Sequence, residues 1–168
     1  MEQAKKVTKY SKLEIFLAVF LIVLATIIAY ALFINALGYY SDEWYIVWGG
    51  RTSGPGMIVQ MHQYDRPLMG YFYTLFYFLL GDHPLGWQIF AVVLRLIGVL
   101  IFWFTLRMIW PNALLATTSA ALLFAVYPGF MVMPKAIIKV NPLFSLACVL
   151  ISIAFTVKSV QVKQIWQK

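Results

Sequence analysis

The sequence predicts an all-α, polytopic membrane protein of about four transmembrane helices, with interfacial helices in the first extracytoplasmic loop. Three observations carry that expectation. Apolar residues make up 62% of the 168 residues and charged residues 11%, against about 45–50% and 25% in soluble domains. Mean hydropathy is +0.82, and a soluble chain this small has too little interior to hide that much apolar surface. The apolar residues also fall in runs of membrane-spanning length. The whole chain, 1–168, reads as a single transmembrane module.

Residues 1–14 form a basic tail holding Lys5, Lys6, Lys9 and Lys12. Residues 15–37 follow as a first span, broken only by Thr26 and Asn35. At 1.5 Å per residue the run reaches about 35 Å, and it is too long for a cleaved signal core, so it reads as an uncleaved anchor. The most polar stretch lies in the loop 38–86, with Asp42, Glu43, Arg51, Asp65, Arg66 and Asp82. Within it, the pattern SDEWYIVW from Ser41 to Trp48 predicts a short amphipathic helix capped by Ser41 with acids in its first turn. Residues 68–80 are apolar and aromatic but reach only about 20 Å, which fits an interfacial helix or a short span. Loop charge favours the interfacial reading. With it, Lys5, Lys6, Lys9, Lys12, Arg107, Lys158, Lys163 and Lys168 share one side, and Arg51, Arg66, Lys135 and Lys139 the other. That bias places the N-terminus in the cytoplasm, and a crossing would erase it. Residues 87–109 form the second span and residues 113–133 the third, with Pro128-Gly129 marking a kink or an early end. Residues 142–157 form the fourth, with Asn141 as N-cap and Pro142 at the first helical position. Residues 158–168 are a basic cytoplasmic tail.

Charge and motifs narrow the chemistry. The net charge of +7 comes from lysines flanking apolar runs, a topology and lipid-contact pattern rather than a nucleic-acid groove. The single cysteine, Cys148, excludes an intramolecular disulfide, and His62 and His83 have no metal-ligand spacing. No Walker loop or nucleophile elbow is present. Asp42 and Glu43, just past the first span, have the placement of a general base or of a divalent-metal ligand, or simply of a solvated helix start. Asp65-Arg66-Pro67 could bind a phosphate, or start a helix with an interfacial ion pair. Arg95 and Arg107 are twelve residues, about 18 Å, apart. Both therefore cannot sit at opposite boundaries of a membrane roughly 30 Å thick, so at least one is at membrane depth or snorkels hard; Arg107, next to Trp110, reads as a cytoplasmic anchor and Arg95 as the intramembrane candidate. It could meet a lipid phosphate or pair with a loop carboxylate. Lys135 and Lys139 lie outside against the usual bias, as surface lysines or as contacts for an anionic ligand.

The order of Ser41-Asp42-Glu43-Trp44, then Tyr64-Asp65-Arg66-Pro67-Leu68-Met69-Gly70, then Leu85-Gly86-Trp87, and finally Tyr127-Pro128-Gly129-Phe130 resembles the N-terminal part of the GT-C membrane glycosyltransferases. These include the protein O-mannosyltransferases and the aminoarabinose transferases. The resemblance covers roughly residues 10–155. It implies transfer of a sugar from a polyprenyl-phosphate donor to an acceptor on the extracytoplasmic side of a bacterial-type plasma membrane. It further implies Asp42 or Glu43 as catalytic base or metal neighbour, with Asp65, Arg66, Arg95, Lys135 and Lys139 as candidates for the lipid phosphate. The mannosyltransferases carry His-Pro-Pro where this chain has Asp65-Arg66-Pro67, which points to a divergent member. Family enzymes are several times longer, so the chain is expected to supply an opening module, incomplete at its C-terminus and completed by further helices or subunits. The competing expectation is a small non-catalytic multi-span protein serving transport or assembly.

Overall fold

A computed structural model describes residues 10–127 and 135–166. Among them every regular element is helical: α1 (Lys12–Tyr30), a 3-10 turn (Ile34–Ala36), α2 (Glu43–Ser53), α3 (Gly56–His62), α4 (Pro67–Leu80), α5 (Pro84–Ile109), α6 (Leu114–Ala125) and α7 (Ala136–Trp166). Three stretches are long and apolar enough to cross a membrane: Lys12–Ala36, Pro84–Ile109 and Ala136–Val162. They fit an integral, multi-pass membrane protein in a lipid bilayer. The expected third span is represented by α6, which at 12 residues is shorter than a crossing requires. Its predicted end at Pro128-Gly129 lies outside the described residues. The helix has already stopped at Ala125, in keeping with the steric restriction on the residue before a proline.

The helices alternate in direction. At one end Tyr10, ahead of α1, donates to the Asn112 carbonyl and accepts from Leu114 N–H at 3.2 Å, so α1 and α6 start together. At the other end the Tyr30 hydroxyl donates to the Ala125 carbonyl at 2.9 Å, so they finish together. The α5 and α7 helices run the opposite way, side by side from Leu94 and Leu143 to Met108, whose carbonyl accepts from Gln161 at 2.8 Å. Two cores result. Ala18, Ile22, Val99, Trp103, Ala121 and Ala125 lock α1, α5 and α6. At the loop end, Trp87, Ala91 and Leu94 of α5 pack with Ile137, Val140 and Leu143 of α7 and with Ile46, Ile58, Tyr73 and Tyr77 from α2, α3 and α4.

Several boundaries differ from the expected ones for identifiable reasons. A capping box, Ser11 N–H to Glu14 and Glu14 N–H to the Ser11 hydroxyl, starts the first helix at Lys12. Its α-helical part stops at Tyr30 rather than continuing to 37. Ser41 is not the cap of α2. Its φ of 54° puts it in the left-handed region, and its hydroxyl donates to Asp42 Oδ1 at 2.9 Å. The second span begins at Pro84, three residues early, with His83 Nδ1 accepting from Leu85 N–H at 3.3 Å. The last helix begins six residues before Pro142, which lies inside it. Proline has no N–H to offer the Ile138 carbonyl one turn back. The Tyr73 hydroxyl of α4 donates there instead, at 3.5 Å.

Candidate functional site

The loop 38–83 folds as three helices packed over the starts of α5 and α7. Pro67 fixes the first turn of α4, and Gly70 lets α4 lie directly on α3. A Cβ at Gly70 would stand 2.9 Å from the Val59 Cα, closer than packed atoms allow. This α3–α4 hairpin brings its turn, Asp65-Arg66, beside the beginning of α2. Between them opens a cleft of about 310 Å³ lined by Asp42, Tyr45, His62, Asp65, Arg66 and Tyr73, with Met61, Met69, Ile46 and Ile138 as its apolar wall.

Asp42, Asp65 and Arg66 therefore come together. Asp42 is exposed and has the Ser41 hydroxyl as a donor. The Arg66 guanidinium holds Asp65 at 3.5 Å, both side chains being mostly exposed. A guanidinium has five N–H groups, so this pair leaves donors for an anionic group in the cleft. His62 and Tyr73 belong to the same wall, their ring centroids 5.3 Å apart. The His62 Nδ1 stands 3.0 Å from the Ile58 carbonyl; a carbonyl can only accept, so Nδ1 is the donor of that contact. Burial pushes the Tyr73 phenol up to about 12, with Arg66 drawing it down and Glu43 adding to the rise. His62 is solitary in the sequence. Only the α3–α4 hairpin, joined at Gly70, gives it neighbours.

Glu43 is elsewhere. It is fully buried, and both its oxygens are engaged by backbone N–H groups. Oε2 accepts from Tyr40 at 2.9 Å, and Oε1 accepts from Ile137 at 2.6 Å and Ile138 at 3.4 Å. The carboxylate thus caps the N-terminus of α7 and ties the first loop to it, a favourable site for an anion. Burial raises its pKa, while the N–H groups of Tyr40, Ile137 and Ile138 and the charge of Lys135 pull the other way. Lys135 acts on Glu43, and neither Lys135 nor Lys139 lines the cleft.

Arg95 is also apart from the cleft. It is 3% exposed, its Nη1 donates to the Tyr30 hydroxyl at 3.1 Å, and its guanidinium carbon lies 4.3 Å from the Tyr30 ring centroid. Since Tyr30 donates onward to the carbonyl of Ala125, the arginine charge sits near the negative end of α6 and joins three helices. Among the described residues no group of three or more His, Cys, Asp or Glu side chains could hold a metal ion. No known protein family, curated protein or solved structure matches the chain.

Proposed function

We propose that the chain is a membrane-embedded sugar-transfer module of the GT-C kind, whose loop-end cleft receives the head of a polyprenyl-phosphate sugar on the extracytoplasmic side. The observation that carries this reading is that Asp42 and Arg66 line one hollow at the loop end of the bundle. Asp42 is the base that takes or orients the proton of the acceptor hydroxyl, and Arg66 offsets the charge that develops on the departing lipid phosphate. Glu43 takes no proton from a substrate in this scheme. Its oxygens hold α7 in place behind the cleft. The excess of lysines at the termini puts that end of the bundle in the cytoplasm.

The test is reconstitution of the full chain into liposomes with a radiolabelled undecaprenyl-phosphate sugar. Asp42→Asn is expected to retain binding of the donor and to lose transfer, and Arg66→Ala to weaken binding at least tenfold. Failure of the wild-type chain to bind the donor better than it binds phosphatidylglycerol overturns the reading. One observation favours a non-catalytic multi-span role in its place. Two of the residues expected to do chemistry, Glu43 and Arg95, are engaged in joining helices. Membrane insertion with no donor binding is the outcome of that reading.

A further inference from the structure

Helix α4 is amphipathic in the inverted sense. Between Pro67 and Leu80 it carries no charged residue, and its polar Thr74 donates its hydroxyl inward to the Pro55 carbonyl at 3.0 Å. Its outward face is Leu68, Tyr71, Leu75, Phe78 and Leu79, which are 83, 64, 55, 80 and 64% exposed. Five large apolar side chains in a row on one helix are not tolerated in water without a partner.

We propose that this face of α4 is seated in the lipid of the leaflet at the loop end, with the helix lying along the membrane surface instead of across it. Continuity of apolar surface identifies the occupant as lipid. On the inner side of α4, Phe72 packs on Phe144 at 4.7 Å and Phe76 on Phe90 at 4.5 Å. Phe144 of α7, and Ile89 and Val93 beside Phe90 on α5, are themselves exposed on helices of spanning length. The greasy surface of the spans therefore passes unbroken onto α4. Charge is confined to the helix ends, with exposed Asp65 and Arg66 before it and Asp82 after it, as for a segment whose ends return to headgroups and water.

The ends also fix the axis. Arg66 shares the cleft with Ile138 in the first turn of α7. The Gly81 carbonyl accepts from Trp87 Nε1, in the first turn of α5, at 2.9 Å. Both ends of α4 thus lie level with the starts of the spanning helices. With 14 residues it reaches about 21 Å, short of the roughly 30 Å of a hydrocarbon core. The same seating sets the depth of the cleft, because Met69 and Tyr73 on the inner side of α4 form part of its wall.

The experiment is spin-label accessibility on the full chain in phosphatidylcholine–phosphatidylglycerol vesicles. The single cysteine, Cys148, is replaced by serine, and labels are placed one at a time at Leu68→Cys, Tyr71→Cys, Leu75→Cys and Phe78→Cys. Phe155→Cys in α7 serves as the lipid-exposed standard and Thr52→Cys as the water-exposed one. The expected result is preferential collision with oxygen over a water-soluble nickel complex at all four sites, at depths within about 5 Å of one another. A crossing helix would separate Leu68 from Phe78 by about 15 Å. That gradient overturns the proposal. So does dominance of the nickel complex, which means water, and so does low accessibility to both reagents, which means a covering protein or a second copy. Carbene labelling of the unsubstituted chain from within the bilayer gives the same decision without a mutation. Label on Tyr71 and Phe78 supports the seating, and its absence from 67–80 refutes it.

Discussion

Removing the Glu43 carboxylate should cost more stability than any other single truncation of a charged residue in the first loop. Its two oxygens satisfy backbone N–H groups of Tyr40, Ile137 and Ile138 in a fully buried position. Glu43→Ala leaves at least the Tyr40 and Ile137 donors without an acceptor, and each unmet buried N–H costs about 1–3 kcal/mol. The expected loss is therefore about 2–6 kcal/mol. Glu43→Gln keeps one acceptor oxygen, turns an amide N–H₂ toward the other donor, and also removes a buried charge, so about 1–3 kcal/mol is expected. Asp42→Ala next door removes an exposed group and should stay within about 0.5 kcal/mol of wild type. Reversible unfolding in mixed micelles with increasing dodecyl sulfate measures all three, read by the fluorescence of the buried Trp87 and Trp103. The pH dependence has a definite sign. Burial raises the Glu43 pKa above its ordinary 4.5, so the native state binds the proton more tightly than the unfolded chain. The stability linked to that proton is fully present below the ordinary value and is lost as pH rises through the raised one. Wild type should accordingly lose stability across that window, and Glu43→Gln should lack this slope. A Glu43→Ala variant as stable as wild type, or a Gln variant with an unchanged slope, refutes the tether.

Other consequences are measurable in the same unfolding assay. Thr118→Val deprives the Trp103 indole N–H of its acceptor at 3.1 Å in the α5–α6 contact and should cost about 0.6 kcal/mol, the average for interhelical hydrogen bonds in membranes, and no more than about 1.7 kcal/mol, their maximum. Gly70→Ala forces α3 and α4 apart at the Val59 backbone and should cost about 1–3 kcal/mol. Gly81→Ala places a side chain at φ 71° and ψ −158°, a region open essentially to glycine, with an expected cost of about 1–3 kcal/mol. Ser41→Gly relieves the left-handed strain at φ 54° and should stabilise by up to about 1 kcal/mol, provided the hydroxyl contact to Asp42 contributes less than that.

Features set by neighbouring residues were legible in the sequence. Run length and hydropathy located the three long helices. Pro67 begins α4 as the first-turn preference of proline requires, and Pro84 begins α5 in the same way although the second span was expected only at 87. The Ser11-x-x-Glu14 pattern that starts α1 at Lys12 was also present to be read, and a first span beginning at 15 overlooks it. What escaped depends on contacts between distant residues. Asn141-Pro142 is a sound helix start by local rules, yet α7 runs through it. The start moves to Ala136 because the first-turn N–H groups there meet Glu43 from 94 residues away, and the carbonyl orphaned by Pro142 meets Tyr73 from 65 residues away. Helix rise alone shows that Arg95 and Arg107 cannot both sit at opposite membrane boundaries, whereas the bond of Arg95 to Tyr30 on α1, 65 residues away, depends on the fold.

Asp42 and Glu43 make the same point more sharply. They are adjacent acids of like charge, and no local property says which one is to be buried. Consecutive residues at a helix start point about 100° apart, so only one can reach the α7 terminus, and the left-handed turn at Ser41 selects Glu43. Asp42 is thereby turned to the cleft that Asp65-Arg66 approaches from the other side. The tether and the cleft are consequences of one backbone turn. Loss of the Glu43 contacts should therefore disturb the position of Asp42, while loss of Asp42 should leave the Glu43 contacts intact.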